Sequence, residues 1–174
     1  MSSGGLEALF AGLRELQGTA GLRVEVEGQN DLYEVMLFPP ASESEIAAAQ
    51  TWPGSSLPSD FVEFWRFTNG ANLFVNDSGL HGVGVASTDL ISDLQREEGE
   101  FYGQEAMAGY CVFARVNGSG DFLVFRLSDG AVLDGIHSEQ PHEWRVVAAG
   151  FARWLETLIE NRGRYYWLEV LYTP

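Results

Sequence analysis

Apolar residues recur at helical spacing in some stretches of the chain and alternate with polar ones in others, and the order of these stretches sets the first expectation for the fold. Leu6, Leu9, Phe10, Leu13 and Leu16 share one helical face, which Gly18 and Gly21 close. In "LRVEVEGQNDLYEVMLFPP" two alternating runs flank Gly28-Gln29-Asn30-Asp31, the pattern of a hairpin. Ser42 and Glu45 have capping-box spacing ahead of a short helix, "SEIAAAQTW", which Pro53-Gly54 ends. The stretch from Ser55 to Phe74, "SSLPSDFVEFWRFTNGANLF", then starts a helix at Pro58, where a missing N–H costs nothing, and Ser59 or Asp60 offers an oxygen to the free amides. Phe61, Phe64, Trp65 and Thr68 fall on one face, and Gly70, with Asn69 before it, is expected to stop the helix in a left-handed conformation.

Downstream, "NLFV" and "HGVGVA" read as short strands joined by the turn Asn76-Asp77-Ser78-Gly79. Thr88 or Asp89 is expected to cap a helix over "DLISDLQREEGEF", whose Glu97, Glu98 and Glu100 crowd the end where the helix dipole disfavours anions. A three-strand meander follows: "GYCVFARV", "DFLVFRL" and "AVLDGIH", separated by "NGSG" and "SDG". Val147, Phe151, Trp154, Leu155 and Leu158 predict a last long helix from Trp144 or Val146 to Asn161, and "RYYWLEVLYTP" reads as a final strand. Helices interleaved with antiparallel strands, with no repeat or low-complexity linker, predict a single α+β domain over 1–174 with a central, mostly antiparallel sheet flanked by helices.

Composition narrows the function. Twenty-five acids against ten cations, every one of them arginine, give a formal net charge of -15 and a pI near 4.4. Such a surface repels phosphate backbones and anionic membranes and attracts a basic protein. A single cysteine, Cys111, excludes an internal disulfide, and the N-terminus lacks the basic start and apolar core of a signal peptide. No apolar run has the length of a membrane span. The expectation is a cytoplasmic protein that binds neither nucleic acid nor membrane.

Catalytic patterns are absent. His137 and His142 straddle Pro141 in a loop with no Cys or carboxylate spacing of a metal site, so His81, His137 and His142 read as residues bonded to backbone or solvent, and neither metal nor cofactor is expected. Cys111 sits in an apolar strand as a small buried hydrophobe. Asp121, Asp129 and Asp134 read as carboxylates on the meander's turns rather than as an acid/base pair. Neither "HGVGVA" nor "NGSGDF" matches a phosphate-cradling loop. The aromatics Phe61, Phe64, Trp65, Phe151 and Trp154 lie on helical core faces and read as core packing rather than as a platform for bases or sugars, whereas "RGRYYW" combines arginines and rings on an edge or an inner strand face.

The succession of "EIAAAQ", "LPSDFVEFWRFTNGA", "NGSGDFLVFRLSDGAV" and "AAGFARWLETLIE" resembles the SUKH superfamily, in particular its Smi/Knr branch, over roughly Leu32 to Glu160. The residues that carry the resemblance are Leu57, Pro58, Phe61, Trp65, Asn69 and Gly70, supported by Gly120-Asp121 and Phe151. On that division residues 1–30 form an N-terminal helix-and-strand extension, 32–160 the core, and 163–174 a tail. The resemblance implies a non-enzymatic protein-binding domain: in bacterial members an immunity protein that neutralises a toxin, often a nuclease, and in fungal ones a scaffold that regulates cell-wall synthesis. The partner is then a basic toxin domain, met by Glu97, Glu98, Glu100, Asp121, Asp129 and Asp134. The alternatives are a cell-envelope scaffold or a module that takes a peptide on a free sheet edge.

Overall fold

The computed structural model describes residues 3–18, 22–26, 29–50 and 56–169. Eight strands form one sheet: β1 (Leu22–Val26), β2 (Gln29–Leu37), β3 (Ala71–Asn76), β4 (Val83–Val85), β5 (Tyr110–Val116), β6 (Phe122–Arg126), β7 (Ala131–Gly135) and β8 (Arg145–Ala148). They lie in chain order, each antiparallel to the next. Six helices accompany them among the described residues: α1 (Ser3–Gln17), α2 (Glu43–Gln50), α3 (Ser59–Phe67), α4 (Ile91–Tyr102), α5 (Phe151–Glu160) and α6 (Tyr166–Glu169). The class is α+β, as the pattern of the chain predicts.

Alternation along β6 separates two cores, because Phe122 and Val124 point to one face and Leu123 and Phe125 to the other. The larger core gathers Leu13 of α1, Ile46 of α2, Phe61, Phe64 and Trp65 of α3, and Phe151, Trp154 and Leu155 of α5 against Leu73, Phe113, Leu123, Phe125 and Val132. Phe61 stands at its centre, with its ring 4.6–6.3 Å from those of Phe64, Trp65, Phe113, Phe125 and Phe151. The smaller core, Met107, Val112, Phe122, Val124, Leu133 and Trp144, lies on the other face with Leu94 and Tyr102 of α4 packed against it.

Asp60 ties α3 to α5. It is placed by sequence as a cap of its own helix, and its Oδ1 does accept the Phe61 N–H at 3.0 Å, but its Oδ2 accepts the N–H of Ala152 at 2.8 Å, across 92 residues. Ala152 is the second residue of α5, one of the amides a helix leaves without an internal partner, and its own N-cap, Gly150, has no side chain to offer.

Several local expectations change. Helix α3 ends at Phe67, with Thr68 in extended backbone, so Gly70 is not its stop signal. Gly70 (φ 88°) instead opens β3, where a Cβ would meet Val85 O and Ser87 N at 3.0 Å, and that close approach is what requires glycine. The Asn69 side chain clamps the next loop, its Oδ1 accepting Thr88 N–H at 2.8 Å and its Nδ2 donating to Thr88 Oγ1 at 3.1 Å. Thr88 is therefore no cap for α4, which begins at Ile91 without a side-chain cap. Strand β2 already starts at Gln29, so Gln29, Asn30 and Asp31, expected in the hairpin turn, instead pair with Val26, Glu25 and Val24 of β1, and Gly28 lies outside the described residues. Residues 144–149 are not helical. Arg145–Ala148 pair with β7, and Val147 meets the helical period of α5 by coincidence. The tail forms the short helix α6 rather than a strand, with Trp167 buried in the main core and Tyr165 Oη bonded to Gly82 N and O on the β3–β4 connection, while 170–174 lie outside the described residues. The expected stops at Gly21 and at Pro53-Gly54 also lie there. The capping box is present: Ser42 N–H donates to Glu45 Oε2 at 2.7 Å and Glu45 N–H to Ser42 Oγ at 3.3 Å.

Two outcomes follow from this packing. Asp60→Ala leaves the Ala152 amide uncapped and should lower stability by about 1 kcal/mol in urea unfolding, with Asp60→Asn losing less because its amide oxygen still accepts; equal losses would mean that the cap is not the relevant contact. Burial pushes the Cys111 thiol up to about 12, so iodoacetamide should alkylate it at a rate set by unfolding, slowly in buffer and rapidly in guanidinium chloride.

Candidate functional site

Helix α4 carries an unusual buried stripe. Ile91, Gln95, Glu98 and Tyr102 recur at i, i+4, i+7 and i+11, so one face of the helix turns two polar side chains toward the sheet. Each has a reason in β5. A bulge at Phe113 interrupts the β5–β6 ladder, and the N–H of Val112 beside it donates to Gln95 Oε1 at 3.0 Å. Two residues on, Arg115 sends Nη1 to Glu98 Oε1 at 2.5 Å and Nη2 to Glu97 Oε2 at 2.8 Å. Arg115 thereby offsets anions at the unfavourable end of α4.

Phe122, directly across the ladder from Arg115, packs beneath this group. Its partner on the other side is Gly135, and a Cβ there would run into the Phe122 ring, so glycine is what lets the ring lie flat on β7. The chain then turns back from β7, and His137 comes to rest with Nε2 3.3 Å from Glu98 Oε2 and Nδ1 3.9 Å from Asp121 Oδ1. Its ring lies edge-on to Phe101 and Phe122, at 5.6 and 5.0 Å, and roughly parallel to Tyr102 at 6.4 Å. The Tyr102 hydroxyl donates to Ile136 O at 3.3 Å; burial first, then the nearby Glu98, Asp121 and Glu139, push its phenol up to about 12, so it remains a donor. Phe101 is 66% exposed beside these acids. Oε2 of Glu98 and Oε2 of Glu139 are both shielded from water without a hydrogen bond.

The structure thus brings Glu97, Glu98 and Asp121 to one region, Glu97 and Glu98 on α4, joined by Arg115, and Asp121 in the β5–β6 turn across His137 from Glu98, while Glu100, two residues along α4 from Glu98, lies on a different side of the helix. It separates the other two candidates. Asp129 occupies the β6–β7 turn, where Arg126 and the Ala131 N–H hold its carboxylate below the usual range. Asp134 is not on a turn. It sits inside β7, 2% exposed, and bonds Arg145 Nη2 at 2.9 Å, while burial raises its pKa. Glu98 is equally buried. The rings of Phe101, Tyr102 and Phe122, the carboxylate of Glu139 and the imidazole of His137, expected to meet backbone or solvent, join the site without having been singled out. The signal that finds Glu98 is its place on the Ile91 face of α4, where a carboxylate requires a partner.

Other features answer to the fold. A groove of about 530 Å³ lies at the N-termini of α3 and α5, walled by Leu57, Pro58, Asp60, Asp129, Gly130 and Gly150, and Asp60 already meets the amides that open into it. His81 bonds Gly163 O through Nε2 and stacks on Tyr165. Among the described residues no group of three or more His, Cys, Asp and Glu side chains has the arrangement of a metal site, and no helix is long and apolar enough to cross a membrane.

No curated protein matches the chain. Residues 40–157, which run from the turn before α2 through most of α5 and include α4 and the acidic region, match the SMI1 / KNR4 family (SUKH-1), and the chain belongs to that family.

Proposed function

We propose that this protein is an immunity-type binding domain that docks on a basic toxin, such as a nuclease, and covers the cationic face with which the toxin works. Family membership is consistent with an immunity or a regulatory role, both exercised through protein contact. The observation that carries the choice is the acidic and aromatic region at the end of α4, where Glu98, Asp121 and Glu139 lie near Tyr102 and His137, and Glu97 and Glu100 share the helix end with a largely exposed Phe101, in a chain of net charge -15. Acids of this density steer a basic partner, and an exposed ring supplies the apolar anchor that charge alone lacks. Asp129 and Asp134, held by their own arginines, contribute to the field rather than to direct contact.

A second reading, a scaffold or peptide-binding module, draws on β8. It is the last strand in sheet order and carries Val146, 55% exposed, where an extended segment would add to the sheet.

The test is capture of the partner from the native cell, followed by its co-expression with and without this protein. Rescue of growth from a basic toxin, with an association rate that falls about tenfold or more between low and physiological ionic strength and falls again in Glu97→Gln/Glu100→Gln, supports the immunity reading. A salt-independent rate, or a non-toxic partner blocked by substitution of Val146, supports the scaffold.

A further inference from the structure

We infer that His137 occupies a seat built for a cation, and that on docking the seat receives an arginine side chain of the protein partner. The identity of that occupant rests on the docking reading above; the seat itself rests on geometry. Glu98 is 3% exposed on its side chain, its Oε1 is taken by Arg115, and its Oε2 is turned toward His137 with no hydrogen bond. A buried carboxylate oxygen left in that state is costly, and a donor is what removes the cost. Asp121 Oδ1 faces the imidazole from the other side, 3.9 Å from Nδ1. An imidazole offers at most two N–H groups to the two carboxylates, whereas a guanidinium offers five.

The rings specify the shape of the occupant. Phe101, Tyr102 and Phe122 surround the imidazole at 5.0–6.4 Å, two nearly perpendicular to it and one nearly parallel, and the His137 side chain is itself 38% exposed, so the seat opens to the surface beside Phe101. A planar, delocalised cation suits such walls better than a compact ammonium. The protein already contains this arrangement once: the Arg115 guanidinium lies 5.7 Å over the Phe122 ring while bonding Glu98 Oε1 and Glu97. The second oxygen of Glu98 offers a matching position to a second arginine once the His137 side chain rotates outward. The anionic surroundings select for such a partner side chain.

Methylguanidinium tests this without any partner. In His137→Gly, which empties the seat, it should bind saturably, shifting the amide resonances of residues 98–102 and 121 while leaving those of the main core unchanged; the native protein should bind it several-fold more weakly. Neutral methylurea should not bind, methylammonium should bind several-fold more weakly than methylguanidinium, and Glu98→Gln in the His137→Gly background should abolish saturation. Should His137→Gly fail to fold, Phe101→Ala in the native background serves instead, since that ring is mostly outside the core, and should lower methylguanidinium affinity. Equal binding of methylurea, shifts scattered over the surface, or indifference to Glu98→Gln and Phe101→Ala would overturn the seat, and methylammonium binding as tightly would overturn the choice of arginine. None of these outcomes bears on the salt dependence of toxin association, so the two readings fail separately.

Discussion

Burial of the Phe61 ring is the contact on which the rest of the fold depends. It touches aromatic rings from its own helix, from β5, from β6 and from α5, so four elements far apart in sequence find their positions against one side chain. Removing such a ring costs about 3–5 kcal/mol, a large share of the whole stability of a domain of this size. The neighbouring polar contacts are arranged to serve it. Trp65 Nε1 donates to Ala86 O, Thr68 Oγ1 accepts the Phe38 N–H, and Asp60 receives the Ala152 amide, so α3 is held at both ends while its middle is packed. Because α3 and α5 close over this side of the sheet, the polar side chains of α4 meet the opposite face.

That opposite face has one helix, α4, and a smaller core, and here the chain accepts polar groups in buried positions. Gln95 and Glu98 occupy places that an apolar residue would fill more simply, and each is answered by β5, the first through a bulge and the second through Arg115. An ion pair kept away from water contributes little net stability in place of an apolar contact, because desolvation offsets attraction. A half-satisfied Glu98 is therefore better understood as a device for orientation or binding than as a contribution to folding.

Much of the fold is legible in the chain because periodicity and local chemistry agree there. Helices α1, α2 and α3, the capping box and the β5–β7 meander all have patterns that no tertiary contact reverses. The misreadings occur where local propensity and tertiary pairing diverge. Val147 satisfies the period of α5 although it lies in β8, at the irregularity of its pairing with β7, and no single-residue signal separates the two. "RYYW" has strand propensity, but Trp167 is buried in the main core and Tyr165 is bonded to the β3–β4 connection, and these contacts set the conformation. Asp60 and Asn69 show the same limit at the level of side chains: Asp60 is expected to accept from its own helix and Asn69 to help end it, but a donor to Asp60 lies 92 residues away and the donor to Asn69 lies 19 away. At the candidate site the acids of α4 are visible in the sequence, whereas the cage of rings is not, since it is assembled from α4, β6 and the β7–β8 loop only after the sheet forms.

Charge divides in the same way between holding the fold and meeting a partner. Arg66, Arg96, Arg115, Arg126, Arg145 and Arg153 are all engaged by the protein's own carboxylates, which uses six of its ten cations internally. The exposed pairs among them, those of Arg66, Arg96, Arg126 and Arg153, contribute about 0–1 kcal/mol each, far less than one buried ring, so stability alone gives little reason to commit so many. Their effect on the field is larger. Each arginine tied to a local acid is one that does not stand isolated on the surface, and the acids left in excess act on an approaching molecule together. On the docking reading, a surface assembled this way would attract a cationic partner over distance through its net charge and distinguish it at contact where a carboxylate and an aromatic ring coincide, as they do around His137.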